Sequence, residues 1–287
     1  MRPGLLALAA LLSAAGAAQA QDDCRPGPES NEAQTLGIFS VPLAFSPAGA
    51  PGPGSGRVRF ALEASYLPEV DPETATPTIC RPGKGPENTD LLIGFLRPRV
   101  VLRVGNHVAI DAAWVPPIRV NGVKANLVGL AVGWSTDLGQ SVSLGLRAHM
   151  TLGQVNAPIT CSEEALLDPL SECFEGTESD DRYQPNIYGA DATFGFRAAG
   201  GRIRPYLGAG YNRLVPRFQV NFVNRLGELD NRRVFVDLNR AVVFGGLAWQ
   251  AGSRFSLVGE IYSAPADATT GRVVLSVGQS VSRSVDQ

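Results

Sequence analysis

Val128-Gly129-Leu130-Ala131-Val132-Gly133-Trp134, a pause at Asp137-Leu138-Gly139-Gln140, then Val142-Ser143-Leu144-Gly145-Leu146-Arg147-Ala148-His149-Met150: this stretch decides the fold. Large apolar residues hold every second position, and small or charged residues fill the places between. A period of two is the signature of a β-strand, whose side chains alternate between faces. Two such runs joined by a brief Gly-containing break read as a hairpin.

The pattern extends both ways, with about ten such segments between Arg57 and Ser282. Val58, Phe60, Leu62, Ala64 and Tyr66 oppose Arg59, Glu63 and Ser65, and Leu96, Val100, Leu102 and Val104 oppose Arg97, Arg99 and Arg103. Further short breaks fall at Val104-Gly105-Asn106-His107, Ala199-Gly200-Gly201 and Ala251-Gly252-Ser253. Between them lie long connections at 68–91, 116–122, 153–184, 214–232 and 264–271, rich in Pro, Cys and acids. In the eighth segment, Arg233 to about Gln250, the parity slips near Asn239, which predicts a bulge. Segments of about 9–11 residues suit tilted strands crossing a bilayer. Tight turns on one side and large loops on the other predict an all-β, antiparallel up-and-down transmembrane barrel of about ten strands, with short periplasmic turns and long extracellular loops. An even strand count puts both ends of the barrel segment on the periplasmic side.

Alternation alone does not say which face points inward. In a secreted soluble barrel the apolar face would line the interior. Two features favour lipid outside. Gly129, Ala131, Gly133, Gly145, Gly189, Gly208 and Gly210 share the charged face, as a narrow filled lumen requires. Trp114, Trp134, Trp249, Tyr66 and Tyr211 sit near segment ends on the apolar face, where interfacial aromatics belong.

Ahead of the barrel segment (57–287), Met1-Arg2-Pro3, the apolar run Leu5 to Ala15 and Ala18-Gln19-Ala20 read as a secretory signal peptide over 1–20. Residues 21–56 read as a lead-in, with Leu36 to Phe45 a short strand or an apolar strip against the barrel. The Pro- and Gly-rich run from Ser46 to Gly56 reads as a linker or irregular cover. Four cysteines in an exported chain imply disulfides. Cys161 with Cys173 is the preferred bridge because it closes a short loop; Cys24 and Cys80 remain, either bridged or reduced. A net charge of −2 excludes the basic face of a nucleic-acid binder. The absence of a CxxC pair and the presence of only two histidines, His107 and His149, leave no metal or cofactor expected.

Arg204-Pro205-Tyr206-Leu207-Gly208-Ala209-Gly210-Tyr211, after a hairpin partner carrying Tyr188-Gly189 and Phe194-Gly195-Phe196, resembles a strand common in small outer-membrane β-barrel proteins of the OmpA/OmpW-like kind. The resemblance covers roughly 57–282. It implies the barrel fold and an outer-membrane location after export, and transfers no functional residue.

The predicted lumen lining is Arg59, Glu63, Arg97, Arg99, Arg103, Asp111, Arg147, His149, Asp191, Arg197, Arg204 and Glu260. Such a lining either selects anionic solutes or forms a salt-bridge network that fills a narrow barrel, and the filled reading is preferred. The acidic insert Cys161 to Asp181 reads as a solvated, disulfide-pinned loop rather than a calcium site. Phe218, Val220 and Phe222 before a turn, with Val234, Val236 and Leu238 after it, read as an extracellular hairpin that covers the mouth or meets a partner. Ser143 and His149, six residues apart on one strand, lie too far apart for nucleophilic catalysis, and no enzyme is expected. The function expected is a structural or envelope role, or narrow-solute passage through the arginine-rich lumen. The alternatives are a surface receptor or adhesion-like barrel, or a soluble binder of an apolar ligand. Expected partners are membrane lipid and lipopolysaccharide, the barrel-assembly machinery and no nucleic acid, with the protein a monomer.

Overall fold

The computed structural model describes residues 23–52, 57–252 and 254–278. The signal-peptide reading of 1–20 and the stretch beyond Gly278 lie outside them. Ten antiparallel strands close into a barrel. They are β1 (Val58–Tyr66), β2 (Gly94–Val104), β3 (Val108–Val115), β4 (Val123–Asp137), β5 (Val142–Ala157), β6 (Ile187–Phe196), β7 (Ile203–Leu214), β8 (Leu238–Ala251), β9 (Phe255–Ala264) and β10 (Ala268–Gly278). Each pairs with the next in sequence, and β10 closes on β1 through Arg272↔Ser65 to Gly278↔Arg59. No helix among the described residues is long and apolar enough to cross a membrane.

Burial fixes the faces. Phe60 (63% exposed), Leu96 (57%), Val132 (56%), Leu207 (56%) and Ile261 (64%) point outward, whereas Glu63 is fully enclosed. The exposed aromatics form two belts. Tyr66, Trp114, Tyr188 and Tyr211 lie toward the long-loop end, and Trp134, Phe196, Trp249 and Phe255 toward the turn end. The apolar residues thus face out, which overturns the soluble-barrel reading.

Four sequence expectations need correction. The connection expected at 264–271 is a tight turn, Pro265 to Asp267, closed by Asp267 N–H donating to Ala264 O. No bulge interrupts β8, which pairs without a break from Trp249 to Leu238 against β7. The parity signal misled because β8 is apolar on both faces: Val242 and Phe244 turn inward, Val243 and Leu247 outward. The residues Arg233–Phe235 belong to a separate short strand above the barrel. And β4 and β5, at 15 and 16 residues, rise beyond the expected 9–11 into the outer loops.

Within the lead-in, Leu36 to Phe45 is not a strand but an apolar strip against the barrel, most of it helical. Asn31–Leu43 forms helix α1. Ser30 caps it, its hydroxyl accepting from Ala33 N–H at 3.2 Å. Pro42 in the last turn supplies no N–H, so the helix stops there. Gly37 lets α1 press on the 265–267 turn, since a Cβ at that site would lie 2.6 Å from Asp267 Oδ1. Above the barrel, β5 continues into a small sheet through Asp181–Gln184, Arg217–Gln219, Arg233–Phe235 and Asp23–Cys24. Phe218, Val220, Phe222, Val234, Val236 and Leu238 are buried in one cluster with α1, so this hairpin covers the mouth.

Candidate functional site

The N-terminal segment runs down the lumen. It is anchored at the loop end by Cys24–Cys80, which closes 56 residues of chain, while Cys161–Cys173 pins the acidic insert. Glu32 of α1 grips the first long loop: its Oε1 accepts N–H donations from Thr78 at 3.0 Å and from Ile79 and Cys80 at 2.7 Å. Burial works to raise this carboxyl, but the three amides hold it below the usual range. The last carbonyls of α1 and those of the irregular segment that follows it meet the barrel arginines. Arg272 donates to Val41 O at 3.0 Å, and Arg97 to Leu43 O at 3.2 Å. Arg147 donates to Phe45 O, Arg99 to Ser46 O at 3.1 Å, Arg204 to Pro51 O and Arg103 to Gly52 O at 2.9 Å. Six arginines from four strands therefore bind one strip of backbone.

At the waist, charge is balanced. Arg97 and Arg99 both pair with Glu63, the latter at 2.5 Å, and Arg99 also pairs with Asp111. Arg147 meets Asp191 at 2.9 Å, and Arg272 meets Glu260 at 3.5 Å. Phe45, fully enclosed, fills the centre with the guanidinium of Arg99 4.3 Å from its ring centre, Arg97 at 5.1 Å and Arg147 at 5.6 Å. The small lumen residues make room for this segment. A Cβ at Gly129 would stand 3.1 Å from Phe45 Cγ, and one at Gly145 2.7 Å from Pro51 Cβ.

Of the remaining expected lining, His149 Nε2 lies 3.5 Å from Asp191. Arg59 borders a cavity of about 140 Å³ at the turn end, shared with Arg103 and Arg147. Arg197 sits on the rim, paired with Asp137, rather than inside. Ser143 donates its hydroxyl to Pro51 O at 2.9 Å, so it serves the inner segment and is not aligned with His149. Sequence reasoning missed Arg272, Tyr206, Tyr262 and Phe45. Arg272, Val274 and Ser276 alternate with Val273, Leu275 and Val277, and that pattern would have placed Arg272 inside. Phe45 carried no such signal. In the acidic insert, Glu172 pairs with Arg81 and Lys84, and no group of metal ligands forms among the described residues.

A closed barrel with charge enclosed and an aromatic-belted apolar exterior has one solvent that suits it. The fold is that of a transmembrane β-barrel. The barrel matches no protein-family model and no curated protein sequence. Solved structures similar to it include the toluene transporter TbuX of Ralstonia pickettii, at 11% identity and TM-score 0.34 over 81% of this chain and 73% of that one. The attachment invasion locus protein Ail of Yersinia pestis is 11% identical, at TM-score 0.29, over 78% and 97%. The translocator domain of autotransporter NalP from Neisseria meningitidis is 11% identical, at TM-score 0.35, over 86% and 95%. These neighbours are a transporter, an attachment invasion locus protein and a translocator domain, and at this degree of likeness none of them assigns a role to this barrel.

Proposed function

We propose that this protein is a plugged envelope barrel with a structural role, and that its lumen is no standing water-filled passage. The observation that carries this reading is the commitment of the lumen arginines: six of them donate to backbone carbonyls between Val41 and Gly52. A charged lining free to select anions would leave its donors facing water. Here they face the protein's own chain, and the balancing carboxylates are buried beside them. Planar-bilayer recording of the full chain tests it. Silence at moderate voltage is expected, and stable conductance steps would overturn it. The second reading, a surface receptor, is favoured by Leu167 and Leu170, 80% and 95% exposed on the disulfide-pinned insert above the membrane. Lipid contacts the outward face; lipopolysaccharide at the loop rim, the assembly machinery and a monomeric state complete the proposal.

A further inference from the structure

An apolar cavity of about 110 Å³ lies between the plug and the barrel wall near the loop end. Phe39 and Leu43 of the plug form one side; Phe95 of β2, Val115 of β3, Leu127 of β4 and Val155 of β5 form the other. Of its three polar neighbours, Asn88, Thr89 and Tyr183, two are already engaged. The Tyr183 hydroxyl lies 2.8 Å from Ser40 Oγ and donates to Leu36 O at 3.1 Å, and Asn88 Nδ2 donates to Pro158 O at 3.4 Å. A water here would find too few partners, whereas dry cavities of comparable size, about 150 Å³, accept benzene.

The wall beside the cavity is unzipped. The β2–β3 ladder runs from Val104↔Val108 only as far as Arg99↔Ala113. Yet β2 continues to Gly94 against β1, and β3 to Val115 against β4. Pro98 on one edge and Pro116 and Pro117 on the other supply no N–H to extend the ladder. Phe95 and Val115, both lining the cavity, flank this open seam, and Leu96 and Trp114 beside it face lipid.

We infer that the cavity binds a small uncharged apolar molecule of benzene size, and that the molecule exchanges with the outer leaflet through the β2–β3 seam. The inference rests on the closed-barrel reading, since a mobile plug would leave no cavity.

The test is methyl NMR of the full chain in lipid nanodiscs, with benzene as the probe. Saturable shifts are expected at Leu43, Val115, Leu127 and Val155, against linear drift at lipid-facing Leu62 and Val132. Ala125→Phe, which fills the cavity, is expected to abolish saturation; Ala157→Val gives the same readout should the first variant not fold. Linear drift at every methyl overturns the site. Pro98→Cys with Trp114→Cys, oxidised across the seam, is expected to slow benzene exchange relative to the reduced pair. Unchanged exchange overturns the lateral route. A barrel silent in bilayers that shows no saturation refutes the cavity alone, whereas a conducting barrel refutes the closed reading itself.

Discussion

Glu63→Gln is expected to cost the barrel about 3–5 kcal/mol, the scale of removing one partner from a buried ion pair. Glu63 is fully enclosed and serves Arg97 through one oxygen and Arg99 through the other, with Ser65 donating to Oε1 at 2.9 Å. Its neutral amide offers a single oxygen. Arg99 keeps Asp111 and Ser46 O, but Arg97 is left with only Leu43 O at 3.2 Å and Ala44 O at 3.5 Å. A buried guanidinium without a carboxylate then bears the desolvation cost alone. Adding Arg97→Met removes that charge and is expected to recover much of the loss. The exposed pair Arg213–Asp237 serves as control, because its partners are 61% and 53% exposed, and Asp237→Asn is expected to cost about 0–1 kcal/mol. Denaturant titration in micelles, followed by heat-modifiable gel mobility and tryptophan fluorescence, measures all three. A Glu63→Gln cost no larger than that of Asp237→Asn would refute the claim that these charges are sealed inside.

Leu130→Arg, placed outward near mid-strand in β4, is expected to destabilise by about 2–4 kcal/mol in bilayers; Ala131→Ser, on the lumen side, is expected to cost far less, and equal costs would reverse the faces. Burial pushes the Glu87 carboxyl up to about 7 against the opposing pull of Arg81. Its folded pKa is raised, so its contribution to the outer cap is full below about pH 4.5 and lost as pH rises through about 7. Hydrogen exchange of residues 81–88 is therefore expected to quicken between pH 5 and 8, and pH-independent protection would contradict the assignment. Non-reducing digestion with mass spectrometry is expected to recover a peptide joining Cys24 to Cys80. Replacing both cysteines with Ala is expected to cost about 4 kcal/mol, from the chain-entropy model for a loop of 56 residues. Unchanged stability would show that the plug needs no tether.

The barrel was legible because its strands obey a strict period of two and a tilted strand must cross a fixed thickness of hydrocarbon. That signal failed where the physical demand behind it lapsed. In β8 the inner face packs Val242 and Phe244 against the plug-side core, so both faces are apolar and the parity carried no information. The turn at Pro265 to Asp267 looked like a longer loop because Ala268 and Thr269 lack the bulk that marks a lipid-facing run. The plug was illegible for a different reason. A helix end and irregular backbone whose carbonyls are satisfied by arginines from β2, β5, β7 and β10 have no local pattern, since their partners are more than 50 residues away. The lumen charges and small residues were visible; the chain they enclose was not. Only the cysteines at 24 and 80 hinted that the N-terminal segment must reach the outer rim.

The most direct test is whether the Phe45 ring lies inside the barrel. Nuclear Overhauser contacts from its protons to the methyls of Ala113 and Ala131 are expected, as the three form one buried cluster. A ring that instead shows contacts to water or detergent, and none to those methyls, would contradict the occupied lumen.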